Sequence, residues 1–342
     1  MYKISVIGHF AEGDNCLDGQ TVKTKIMTQE LQRVFGENNI HKVDTHGGVK
    51  KSISLCFKCI KTIKTSENII ILPAQNGLRM IAPILYIFNI FYKRTLLYNV
   101  IGGWLPEFLY DKKILSRMLR SFNRIYVETY SMKHKLKDLE FNNVEVIPNC
   151  KYLNILDSDL LHYSKENIIK VCTFSRVMKE KGIEVAVNAV KNLNEKLNWN
   201  IFYLDIYGQI DENQLEWFKR LENDFSETVV YKGTVPFDKS VDVLKVYDAL
   251  LFPTFYEGEG FAGTLIDAMA AGVPIIASDW RYNAEIVKEG INGKIIKESL
   301  EDEMMYMYNN LNEWNIMKKS CLKEAEKYMP EVALEVMTKY LR

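Results

Sequence analysis

The stretch FPTFYEGEGFAGTLIDAMAAGVPIIASDW, residues 252–280, decides how this chain is read. It opens at the end of an apolar, strand-like run and passes through a loop bearing Glu257, Glu259 and the glycines Gly258, Gly260 and Gly263. A helical pattern starts near Gly263, and Gly272-Val273-Pro274 turns the chain into another apolar strand. A helix start preceded by a glycine-rich loop offers backbone N–H groups and the positive end of the helix dipole, which suits a diphosphate. Carboxylates on the same loop and helix, Glu259 and Asp267, can accept hydrogen bonds from sugar hydroxyls.

The earlier stretch KVCTFSRVMKEKGIEVAVNAV, residues 170–190, has the same strand, loop, helix order. Arg176 and Lys181 stand five apart across its loop, so the two cations are expected to converge on one anion at the strand's carboxyl end. Further strands are predicted at 201–207, 228–231, 249–252 and 274–277, with helices at 182–197 and 263–271 between them. In the first half, residues 3–10 read as a strand, a Gly- and Asp-rich loop follows, and a helical pattern runs from Val22 to Phe35. Strands at 68–72, 97–101, 125–128 and 144–147 complete the series. Alternation of this kind predicts an α/β chain of two Rossmann-like, doubly wound domains facing a central cleft, with ligands beyond the strands' carboxyl ends. The turn signal Pro148-Asn149 puts the boundary after residue 150, giving domains 1–150 and 151–327. Pro330 kinks the final helical pattern or starts a new helix, expected at about 328–342 and packed back on the first domain.

The two motifs together resemble glycosyltransferase family 4, whose members have the GT-B fold. That family's pattern is a Pro-Ser/Thr strand end, a Glu-Gly-Phe-Gly loop and a second Glu eight positions after the first, in a Glu-Ala-Met-Ala helix. Glu259, Gly260 and Phe261 match; Ala262 stands for the usual glycine with Gly263 after it, and Asp267 stands for the second Glu before Ala268, Met269 and Ala270. The resemblance implies that Arg176 and Lys181 grip the donor diphosphate, that Asp267 holds the nucleotide ribose, and that Gly208 and Gly233 are the family's glycines near the base pocket. Gly19, in the loop after the first strand, falls where the family has a glycine-rich loop near diphosphate and acceptor. The family's His after the fourth strand has no counterpart in YNVIGGWLPEF, where Gly102, Gly103 and Trp104 stand. His9, after the first strand, is either a cleft residue or a packed one.

The resemblance implies a retaining hexosyltransferase. Such an enzyme would take a hexose or related sugar from a nucleotide-sugar, a UDP-sugar first, to a glycan or polyprenyl-diphosphate-linked acceptor in bacterial surface-polysaccharide assembly. Arg176, Lys181 and Glu259 would carry catalysis. The donor would be held by Gly19, Gly208, Gly233, Gly260, Phe261, Ala262, Gly263 and Asp267, with no cofactor or obligatory metal. A GT-B sugar-nucleotide epimerase and a catalytically idle sugar-nucleotide-binding subunit share the same motifs and stay open.

Composition agrees with a folded enzyme: of 342 residues, 47% are hydrophobic and 26% charged. The net charge of zero hides a division, because residues 1–150 hold 21 Lys+Arg against 13 Asp+Glu and the remainder 23 against 31. A basic first half suits an anionic membrane or a phosphate-bearing acceptor, or is a solvated basic face; no nucleic-acid partner is expected. The apolar run 80–91, flanked by Arg79, Lys93 and Arg94, is too short for the roughly 20 residues a span needs. It is either a core helix or a peripheral membrane contact. MYKISVIGHF lacks the features of a signal peptide, so a cytosolic place, extending to the inner face of the cell membrane, is expected.

Six scattered cysteines, Cys16, Cys56, Cys59, Cys150, Cys172 and Cys321, point to reduced thiols, and the Cys56/Cys59 pair sits in a helical apolar pattern with no second pair to complete a zinc site. Neither G-x-G-x-x-G nor the P-loop motif follows a strand, which argues against dinucleotide-dependent oxidoreductases and P-loop enzymes. Asp157-Ser158-Asp159, an Asp-x-Asp pair, falls in the linker rather than at a strand end.

Overall fold

The computed structural model describes all residues except 14–18, 48–51 and 165–167, so Cys16 and the middle of the first Gly- and Asp-rich loop lie outside the described residues. The chain divides into two compact units, Met1–Tyr152 with Tyr328–Arg342, and Leu153–Lys327. Each is a doubly wound, Rossmann-like α/β layer built on a parallel sheet.

The first unit's strands are β1 (Tyr2–Gly8), β2 (Ile40–Asp44), β3 (Ser66–Ile71), β4 (Thr95–Asn99), β5 (Arg124–Val127) and β6 (Val144–Val146), in the order β2-β1-β3-β4-β5-β6. Strand β1 is buried from Ile4 onward and apolar there apart from Ser5, and it pairs on both sides, with Ile4 opposite Ile40 of β2 and Asn68 of β3. It ends at Gly8, two residues earlier than its apolar pattern, because Phe10 already leaves the sheet to bond Asp44. The helix Pro330–Thr338 opens on its proline, where the missing N–H costs nothing. Its Ala333, Leu334 and Met337 join Ile26, Met27 and Leu31 of the helix Gly19–Phe35 in the same core.

The second unit holds β7 (Ile169–Phe174), β8 (Phe202–Tyr207), β9 (Val229–Gly233), β10 (Ala249–Phe252), β11 (Ile275–Ser278) and β12 (Gly293–Ile296), ordered β12-β11-β10-β7-β8-β9. Strand order reverses between β7 and β10, so the loops leaving those two strands part around one point at the carboxyl edge. The two strands absent from the pattern reading, β2 and β12, are both sheet edges. An edge strand has one side in water, and IHKVD accordingly buries only Ile40 and Val43.

The apolar run 80–91 belongs to the helix Gln75–Tyr92 and is divided between two environments. Leu78, Ile81, Ala82 and Leu85 of this helix are buried, whereas Ile87, Ile90 and Phe91 face solvent. Among the described residues no helix is long and apolar enough to cross a membrane. Cys56 and Cys59 lie on the helix Ser52–Thr65, and the five described cysteines are free thiols. Burial pushes the Cys59 thiol up to about 12 and that of Cys150 up to about 11, which leaves both unreactive. Asp157 caps the short turn Ser158–Leu160 by accepting from the Asp159 N–H, an ordinary polar turn.

Candidate functional site

The second unit's site is built from the loops that leave β7, β8, β10 and β11. Glycine lets them touch. Gly182, at φ +73° before the helix Ile183–Leu197, lies against Pro253, and a Cβ there would sit 2.1 Å from the Pro253 carbonyl oxygen. Gly208, at φ +138° after β8, lies against the β7 loop so closely that a Cβ would sit 1.7 Å from the Ser175 carbonyl oxygen. Both positions combine a left-handed backbone with no room for a side chain, so glycine is required twice over.

Across the β7–β10 junction Lys181 Nζ donates to Glu259 Oε2 at 2.6 Å, and the Thr254 hydroxyl donates to the same oxygen at 2.9 Å. Glu259 is only 6% exposed. The ammonium also lies 5.0 Å from the Tyr256 ring centroid and 5.6 Å from that of Phe252, so its charge is partly desolvated. Phe255 N–H donates to the Glu180 carbonyl at 2.8 Å, which ties the two loops through backbone as well.

The loop bearing Glu259 is held from its other side by the segment after β11. Ser278 Oγ donates to the Thr254 carbonyl at 2.5 Å, Trp280 Nε1 donates to the Tyr256 carbonyl at 2.8 Å, and Arg281 pairs with Glu257. The helix Gly263–Ala270 then starts after Ala262, whose extended φ of −68° and ψ of 122° bring no capping side chain to the first turn. Phe261 is buried beside it, and the Thr264 hydroxyl is buried with no hydrogen-bond partner among the described residues. Asp267 sits one turn in and is 4% exposed. Gly260 and Gly263 bracket this helix start.

Arg176 goes elsewhere. Its guanidinium is exposed and stands 3.7 Å from Asp211 Oδ2, lining a hollow of about 230 Å³ with Gln209 and Ile210. The two cations of the β7 loop therefore engage different carboxylates, Lys181 with Glu259 and Arg176 with Asp211. Gly208 N–H donates to the Gly233 carbonyl at 2.8 Å, joining these two glycines at the ends of β8 and β9. Thr254, Tyr256, Thr264, Asp211, Ser278 and Trp280 were not singled out from sequence. Thr254 carried a signal nonetheless, as the Thr of the strand-end Pro-Thr.

In the first unit Gly19 begins its helix, and among the described residues no atom lies within 4 Å of where its Cβ would stand. Thr21 Oγ1 lies 2.7 Å from His9 Nδ1, and His9 Nε2 lies 3.1 Å from His46 Nδ1. His9 is thus a partnered, half-buried residue at the carboxyl edge of β1. Burial of Asp44 alone would raise its carboxyl, but backbone N–H groups of His46, Glu12, Phe10 and Ala11 outweigh that and hold it below the usual range. Lys23 and Glu128 form a buried pair at 2.6 Å; Lys23 also donates to the Val100 carbonyl, and Glu128 accepts from Gly102 N–H at 3.3 Å. The Gly102-Gly103-Trp104 loop is anchored there.

Residues 168–310 match the family model for group 1 glycosyl transferases. An uncharacterized glycosyltransferase of Methanocaldococcus jannaschii is 25% identical over 233 residues, covering 66% of this chain and 58% of the relative. The GtfA subunit of the Streptococcus pneumoniae UDP-N-acetylglucosamine–peptide N-acetylglucosaminyltransferase is 31% identical over 40% of this chain, which spans 26% of that protein. The chain therefore covers less than two thirds of the length of these relatives. Among solved structures, the Anabaena protein HepE in complex with UDP aligns over 100% of this chain and 99% of its own, with a TM-score of 0.75 at 14% identity. The fold is that of GT-B glycosyltransferases.

Proposed function

We propose that this chain is a retaining glycosyltransferase that takes a hexose or related sugar from a UDP-sugar and passes it to a glycan or polyprenyl-diphosphate-linked acceptor. The observation that carries the reading is the Lys181–Glu259 contact beside an uncapped helix start at the β7–β10 switch point. Solved relatives of the fold hold UDP, and HepE is also known with UDP and glucose. An amylovoran biosynthesis glycosyltransferase of Erwinia amylovora, 26% identical over 42% of this chain, supports a polysaccharide pathway.

In this reading the bond between the sugar's anomeric carbon and the β-phosphate oxygen breaks, and the acceptor oxygen bonds that carbon on the same face. The acceptor's hydroxyl proton passes to the departing phosphate oxygen, so no protein nucleophile is needed. The protein's work is to stabilise charge on the leaving diphosphate with preorganised donors. Lys181, Arg176 and the amides from Phe261 to Gly263 supply these, with the Thr264 hydroxyl beside them, and no metal enters the scheme. Asp267 holds the ribose, Glu259 the transferred sugar, and Gly208, Gly233 and Gly260 give the backbone its close approach. Gly19 offers the corresponding loop in the first unit. The reaction takes place in the cytosol at the inner membrane face, which the basic first unit contacts.

The test is to incubate the protein with UDP-sugars and candidate acceptors while following UDP release and glycoside formation. Transfer with retained anomeric configuration is expected. Epimerised donor without transfer, or UDP binding with no turnover on any acceptor, overturns the reading.

A further inference from the structure

Three helices of the first unit pack side by side: Ser52–Thr65, Gln75–Tyr92 and Lys113–Arg120, with the middle one touching both others. The solvent side of a surface helix is ordinarily polar. Here it is not. Phe57 on the first helix is 70% exposed, Phe91 on the second 77% and Ile114 on the third 76%, joined by exposed Ile53, Ile87 and Ile90.

The charges on these helices have one sign. No Asp or Glu occurs within 52–65, 75–92 or 113–120, whereas Lys58, Lys61, Lys64, Arg79, Lys113, Arg117 and Arg120 do. Between the second and third helices a groove of about 490 Å³ is lined by Arg79, Lys112 and Lys113 above Pro83, Ile114 and Met118. One carboxylate, Asp111, lies at its edge and pairs with Lys112 at 2.5 Å. The Arg79 guanidinium is braced 5.0 Å from the Phe108 ring centroid. A protein partner of mixed charge would leave this uniform basic set unmatched. A sheet of anionic headgroups over apolar chains matches both features at once.

We infer that this three-helix face is a membrane-docking surface for an anionic bilayer, with Phe57, Ile90, Phe91 and Ile114 entering the acyl boundary and the groove at Arg79 and Lys113 seating a lipid phosphate. The inference deepens the membrane clause of the proposed function, and its residues stand apart from those assigned to the donor.

The test is flotation of the full chain with vesicles of phosphatidylcholine alone and of phosphatidylcholine mixed with phosphatidylglycerol. Binding to the mixed vesicles only is expected, weakening as salt rises. Arg79→Ala and Lys113→Ala should each weaken it about fivefold, and the double change Phe91→Ser with Ile114→Ser should abolish it. These side chains are exposed, so circular dichroism should show the fold kept. Equal binding to both vesicle types, binding to neither, or indifference to the substitutions overturns the proposal. So does a concentration-dependent dimer that Phe91→Ser dissolves, since the face would then meet a second copy. UDP binding, measured by calorimetry on the same variants, reports on the donor residues and separates a failure of this face from a failure of the donor reading.

Discussion

Lys181 Nζ and Glu259 Oε2 meet at 2.6 Å and join the loops leaving β7 and β10, the two strands on either side of the second unit's switch point. Both side chains are largely withdrawn from water, so each is the other's electrostatic support. A bound sugar diphosphate would enter a site whose cation and carboxylate are already positioned, without waiting for either to be ordered.

Arg176→Ala and Lys181→Ala should therefore differ in stability while resembling each other in catalysis. Arg176 is exposed and its contact with Asp211 is long, so its loss should shift unfolding by about 0.5 kcal/mol or less. Lys181→Ala leaves Glu259 buried beside only Thr254 and should cost about 1–3 kcal/mol. Each should lower turnover by about a hundredfold. Chemical denaturation beside steady-state kinetics checks both, and near-normal turnover in the two variants would reject their role on the diphosphate.

Asp267 and Glu259 should separate nucleotide binding from transfer. Asp267→Asn should weaken UDP and the UDP-sugar alike by about 1–3 kcal/mol, whereas Glu259→Gln should spare UDP and reduce transfer. Asp267→Glu restores the acid usual in the family this loop resembles but adds a methylene at a position only 4% exposed, so its stability should fall by about 1 kcal/mol or more. Calorimetry with UDP decides the assignment; loss of UDP binding in Glu259→Gln alone would reverse it.

Gly208→Ala should be among the most damaging single changes in the second unit. The added carbon meets the Ser175 carbonyl, and φ of +138° is unfavourable for alanine in any case. A loss of about 3 kcal/mol or more is expected in thermal or urea unfolding. Gly19→Ala, whose added carbon meets no atom of the described residues, should cost little by the same measurement.

Acid should weaken the second unit through Asp248. Burial would raise this carboxyl, but His162, Lys318, Ser164 and the Lys170 N–H hold it below its ordinary 3.8. A depressed carboxyl gives stability that is present above 3.8 and lost as pH falls through its lower folded value. Asp248→Asn should flatten the stability-against-pH curve in that window. At neutral pH it should cost about 3 kcal/mol, because Lys318, 3.6 Å away and 1% exposed, loses its partner. Unfolding of both proteins from pH 2 to 7 is the measurement; parallel curves would contradict it.

A strand buried on both faces reads directly from the sequence, since a parallel strand between helices must be apolar throughout: Ala249–Phe252 appears at the residues its pattern predicts. The loop chemistry was equally local. Glu259, Gly260, Phe261 and Asp267 fall within nine residues, and a helix start with its acids is encoded where it stands. Strands β2 and β12 were not readable, because IHKVD buries only Ile40 and Val43 and GKII only Gly293, too little for an apolar pattern.

What the amino-acid order determined by itself was thus the set of elements, their α/β alternation and the residue types brought to each loop, all consequences of backbone propensity and burial over short spans. Which loops meet depends on long-range packing. Strand order places β7 beside β10, so Lys181 finds Glu259 across 78 residues while Arg176, five positions away, turns to Asp211 after β8. The same holds for the helix Gln75–Tyr92, whose pattern allowed core or surface. Its neighbours bury Leu78 and Leu85 and leave Ile90 and Phe91 outside, because a helix has two sides and sequence does not say which surfaces will cover them.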